Sequence, residues 1–143
     1  MNALLFTLLA GLPAADADDA KKDLAKLQGN WTAVSIKYNG QEFAEKLKLK
    51  FVFKNDQVTI EGDDEVKKEY PKVTLKIDPS TTPHCLDLIV LAGVQKDAAM
   101  EGIYEIKGDE LRICVKVFGK ERPGEFASAD GSSIALVVLK REK

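Results

Sequence analysis

The sequence predicts an all-β domain: an eight-stranded antiparallel up-and-down barrel preceded by a short N-terminal helix. Two observations carry this. From residue 29 onward, apolar and polar residues alternate with period two in short runs separated by turns rich in Gly, Pro and Asp. Two pairs of neighbouring runs also fold back on each other with apolar residues opposite apolar and charge opposite charge.

The first such hairpin turns at Asn55-Asp56. Leu47, Leu49, Phe51 and Phe53 alternate with Lys46, Lys48 and Lys50, with Val52 as the one apolar outlier. This reads as a half-buried strand with a solvated lysine face. Folding back sets Phe53 against Val58, Phe51 against Ile60 and Lys50 against Glu61. The second hairpin turns at Gly108-Asp109 and sets Ile106 against Leu111, Tyr104 against Ile113 and Glu105 against Arg112. Residues 32–38, 73–77, 86–91 and 134–141 supply the remaining strands. Successive hairpins favour an up-and-down order, which closes without edges. An interior of eight strands is either filled by side chains or wide enough for one small ligand.

Before the strands, residues 16–28 carry a helical pattern. Asp16, Asp18 and Asp19 sit at its start and Lys21, Lys22 and Lys26 follow, matching the helix dipole. Ala20, Leu24 and Leu27 share a face that must dock, because so short a helix does not stand alone in water. Residues 3–12 are apolar and uncharged but span only about half a bilayer. Pro13 and the small residues Ala14, Ala15 and Ala17 follow, offering cleavage after Ala15 or Ala17. No Lys or Arg precedes the run. The expected organisation is a secretory signal peptide over 1–17, a short helix over 18–28 and the barrel over 29–143, with no transmembrane segment in the mature chain. The expected location is exported, periplasmic or extracellular.

Composition narrows the function. Basic and acidic residues nearly balance, 21 against 23, and aromatics are 7%, so neither a basic stripe nor a stacking platform for nucleic acid is present.

Gly29-Asn30-Trp31 heads the first strand and resembles the G-x-W motif of lipocalins. In that family a C-terminal Arg packs on the Trp at the closed barrel end, and Arg141 matches that role by position. LQGNW (27–31), IDPSTTPHCLDL (77–88), GIYEIKGDELRIC (102–114), RPGEF (122–126) and VVLKRE (137–142) together resemble a signal-bearing family described as a paralogous set in Planctomycetes. That resemblance implies a lipocalin-like fold and an exported location. The family has no established activity, so no catalytic residue is implied. Strict alternation places Trp31 on the face opposite Val34, Ile36 and Tyr38. Either a β-bulge near Thr32-Ala33 restores the phase, or Trp31 plugs the barrel end.

Candidate chemistry is sparse. His84, Cys85 and Asp87 are too few for a structural zinc site, and on a strand His84 points away from the other two. Cys85 and Cys114 fall on next-but-one strands, about 9.5 Å apart from the strand spacing, against the roughly 7 Å that a disulfide tolerates. Both are expected as unpaired thiols on the faces opposite the apolar stripes. No G-x-S-x-G, phosphate-binding Gly loop or C-x-x-C occurs, so no catalytic residue and no cofactor is expected. The long connection containing Arg122, Glu125 and Phe126 is expected as a lid, with Phe126 plugging one end and Arg122 and Glu125 capping strand groups. The leading function is a binding module for a small apolar or amphipathic molecule, lined by Phe51, Phe53, Leu75, Leu88 and Tyr104. The rival is a filled barrel acting through its surface as an envelope structural or protein-interaction module.

Overall fold

The computed structural model describes residues 14–43, 48–62, 64, 68, 71–117 and 121–142. Among the described residues, helix α1 (Ala14–Leu27) precedes nine strands: β1 (Gly29–Tyr38), β2 (Gln41–Glu42), β3 (Lys50–Lys54), β4 (Gln57–Glu61), β5 (Lys72–Asp78), β6 (His84–Val90), β7 (Ala99–Lys107), β8 (Glu110–Lys116) and β9 (Ile134–Arg141). Asp64 and Lys68, between β4 and β5, are also helical. From β3 onward each strand pairs antiparallel with the next, and β1 pairs with both β3 and β9. β1 and β3–β9 therefore form a closed barrel of eight strands, with the two-residue β2 laid on β1. The helical pattern read over 16–28 lies within two residues of α1 at its start and one at its end.

Both hairpins adopt the expected register. Phe53 faces Val58, Phe51 faces Ile60 and Lys50 faces Glu61; Ile106 faces Leu111, Tyr104 faces Ile113 and Glu105 faces Arg112. The first residue of each turn takes left-handed φ, 58° at Asn55 and 59° at Gly108, which Asn and Gly adopt at low steric cost.

The β-bulge is present, one step later than expected, between Ala33 and Ser35. Trp31, Ala33 and Ile36 join the core, and Val34 becomes the extra residue, 50% exposed instead of inward-facing. At the same level β1 outruns β3, pairing with it only through Thr32 and with β2 from Lys37. Glu42 bridges the interval: its carboxylate accepts from Ser35 Oγ at 2.7 Å and from Ile36 N at 2.8 Å. The lysine face is shorter than expected. Lys46 and Leu47 lie outside the described residues, and Lys48 has φ 48° and precedes the strand. Lys50 is paired with Glu142 at 3.1 Å. Thr32 Oγ1 donates to the same Glu142 oxygen, and the two contacts hold that carboxyl below its usual pKa, Thr32 first.

α1 covers one end of the barrel, against β5. Leu27 is buried in the core and Leu24 packs on it. Gln28 binds the β3–β4 turn from both sides, accepting from Asn55 N at 2.6 Å and donating to Asn55 O at 2.9 Å. No helix among the described residues is long and apolar enough to cross a membrane.

Candidate functional site

Three regions carry the residues singled out in the sequence: the helix-covered end, the interior and the outer wall of β6–β8.

At the helix-covered end, Trp31 is fully buried. Its Nε1–H donates to Leu27 O at 2.8 Å, so the one polar atom of a large apolar ring is satisfied. The Arg141 guanidinium lies 4.2 Å from the ring centroid, and Phe53 meets it edge-on at 6.5 Å. Arg141 also donates from Nη1 to Gln28 O at 2.8 Å and from Nη2 to Lys26 O, which caps the carbonyls at the negative end of the helix. Gly29 has φ 113°, a conformation that ends the helix and that side chains rarely adopt. Gly29, Trp31 and Arg141 thus form one clasp, as the G-x-W resemblance implied. Trp31 lies within β1 rather than outside the wall as a separate plug.

Inside, Phe51, Phe53, Leu75, Leu88 and Tyr104 all face the core, as expected, and none is more than 5% exposed. A cavity of ligand size leaves its lining with surface that water can touch. These five side chains have almost none. Phe51 and Phe53 stack at 6.3 Å, and Trp31, Val58, Val73, Leu111 and Leu139 close the space around them. Among the described residues these side chains belong to one buried apolar cluster, the arrangement a filled barrel requires.

Tyr104 brings a hydroxyl into that core. It donates to Asp23 Oδ2 of α1 at 2.7 Å. Burial, then the Asp23 hydrogen bond, push its pKa far above the usual phenol range, so it acts as a neutral donor. The His84 ring lies beside it at 5.4 Å, with Nδ1–H donating to Thr81 O at 2.9 Å. His84 therefore faces Tyr104, while Cys85 lies in the outward row with Ile103. At the end of β5, Asp78 accepts from the Ser80 hydroxyl and amide, which lower its pKa in that order.

On the outer wall, Cys85, Ile103, Cys114 and Leu136 stand in one cross-strand row. The two thiols are free and separated by β7. Cys114 is buried rather than open, because residues 122–127 lie over it. Burial pushes its thiol pKa up. The expected lid is thus a strap on the side of the barrel. Phe126 does not plug an end: its ring stacks on Arg112, 5.3 Å from the guanidinium carbon. Glu125 meets the wall through its carbonyl, 3.5 Å from Cys114 Sγ. Arg122 does cap strand groups, donating from Nη1 to Leu86 O at 2.8 Å and Gly102 O at 2.7 Å. Its Nη2 reaches Asp87 at 2.8 Å and Glu101 at 3.3 Å. Burial works against the Arg122 charge, and the Asp87 contact outweighs it, so its pKa is raised.

Four residues outside the expected set matter to this geometry. Asp23 sits four residues before Leu27, a carboxylate on the docking face of α1, and Gln28 follows that face. Glu42 repairs the wall beside the bulge. Gly102, alone within a strand, carried the usual signal of close backbone approach: a Cβ there would lie 2.3 Å from Cys114 O.

Fold and clasp together define an eight-stranded up-and-down barrel of lipocalin-like build, covered at one end by its N-terminal helix. No family model matches the chain, and no curated protein does. The chain is similar to the solved structure of human cRBP IV, with 17% identity over 81% of this chain and 98% of that one, at a TM-score of 0.39. The barrel is defined by this chain's own strand pairing, not by that overlap.

Proposed function

We propose that this protein is an exported, non-catalytic barrel whose interior serves structure and which acts through its outer surface as an envelope structural or interaction module. The packing of Phe51, Phe53, Leu75, Leu88 and Tyr104 supports this most directly. A fluorescent fatty-acid probe titrated with the protein is expected to show no saturable enhancement at micromolar concentration. Saturable one-to-one binding, displaced by an unlabelled fatty acid, would overturn this reading.

One observation favours a second reading, a small apolar ligand entering away from α1. Leu49 and Ile60 keep 8% exposure, whereas Trp31 and Leu139 near the helix have none. The same titration separates the two, because this reading requires probe binding.

Export rests on the apolar run 3–12 and the small residues after it. The resemblance to the Planctomycetes family supports the same location. A reporter fused after residue 20 is expected outside the cytoplasm; a wholly cytoplasmic reporter contradicts export.

A further inference from the structure

The outer wall of a barrel ordinarily meets water, yet here Ile103 and Cys114 are 1% and 0% exposed. Both are outside the interior core cluster; the strap lies against Cys114 through the Glu125 and Ala127 carbonyls and bonds through Arg122 to Gly102 O, next to Ile103. The strap's attachments are unequal. Among the described residues, no backbone-to-backbone hydrogen bond joins 121–127 to the wall; Ala127 N bonds only to Glu125 O, within the strap. Cys114 Sγ, 3.5 and 3.6 Å from the carbonyls of Glu125 and Ala127, is a weak tether. Past residue 127 the chain is firmly held. Ser128 Oγ accepts from Gly40 N at 3.1 Å and donates to Ile134 O at 2.8 Å, and Lys116 Nζ donates to Ser132 O at 2.6 Å.

That leaves Arg122 as the strongest polar fastening, beside the Phe126 ring on Arg112 and the buried Pro123. One guanidinium holds two carbonyls on adjacent strands and two carboxylates that stand directly opposite each other, Asp87 and Glu101. Like charges in that position repel without a cation between them. The Arg122, Asp87 and Glu101 side chains are 28%, 41% and 37% exposed, so salt reaches them. Segments fastened by few contacts open at lower free energy than the ladder they rest on.

We propose that residues 121–127 form a strap latched by Arg122, which swings about Ser128 without unfolding the barrel and uncovers the Ile103–Cys114 row of the outer wall. Cys114 reports the motion. In a Cys85→Ser background it is the one remaining thiol, and its alkylation by iodoacetamide is followed by mass spectrometry across low urea concentrations. Local opening exposes little surface, so the rate is expected to be nearly flat in urea below the unfolding transition. Arg122→Ala is expected to raise that flat rate at least about tenfold, through loss of charge-assisted bonds, with the far-UV circular dichroism unchanged. Added salt is expected to raise it in the Arg122 protein and not in Arg122→Ala.

A rate that climbs with the full urea slope of global unfolding would overturn the proposal. So would an Arg122→Ala rate equal to that of the Arg122 protein. Should Arg122→Ala fail to fold, the urea dependence of the Arg122 protein decides alone.

Discussion

Replacing Trp31 with alanine destabilises the barrel by about 3–5 kcal/mol, the range for removing a large buried aromatic. Three losses combine. The fully buried ring leaves a void between Phe53 and the helix end. The Nε1–H bond to Leu27 O disappears. Arg141 loses the face it stacks on, although its bonds to the helix carbonyls remain. Trp31→Phe keeps most of the apolar volume and is expected to cost only about 1–2 kcal/mol, for the lost hydrogen bond and a smaller void. Urea unfolding monitored by far-UV circular dichroism measures both. A midpoint for Trp31→Ala close to that of the unaltered protein would mean that the clasp is not where the fold is closed.

Gly102→Ala adds one methyl group and is expected to cost about 3 kcal/mol or more, at the upper end for overpacking. The added Cβ would sit 2.3 Å from Cys114 O, 2.5 Å from Val115 Cγ1 and 3.0 Å from Val115 Cα. Two of these three atoms are backbone, so relief requires β7 and β8 to separate where Gly102 pairs with Val115. Gly102 O also accepts from Arg122, so the same shift loosens the strap. Gly124→Ala is the matched control. Nothing lies within 4 Å of its added Cβ, and the expected change is under about 0.5 kcal/mol. Equal midpoints for the two variants would contradict the close approach of β7 and β8.

What the sequence revealed and what it hid follow from the range of the forces involved. The two hairpins were legible to the register, because turn residues and period-two alternation are local signals that agree with each other. The need for a bulge was legible from the phase conflict between Trp31 and Ile36. Its place was not, since that depends on where β1 leaves β3 and continues along β9. Val34 was misplaced for that reason. The clasp was legible only through its resemblance to a known motif; nothing local to Arg141 points to a Trp at the other end of the chain.

The strap was misread as a lid because RPGEF carries no information about which side of the wall it covers. Its acceptors Asp87 and Glu101 are brought together by pairing between β6 and β7. The five lining residues were correctly placed on the inner face, because alternation reports direction. Whether they leave room for a ligand depends on the summed volume of side chains from eight strands and a helix, which no periodicity reports.

Native mass spectrometry of protein isolated without denaturant or lipid extraction tests whether the interior is filled by the protein's own side chains. The expected mass is that of the bare mature chain. A stoichiometric apolar adduct, retained in the native state and released on unfolding, would contradict it and show that the side chains packed around Phe51, Phe53 and Tyr104 make way for a ligand.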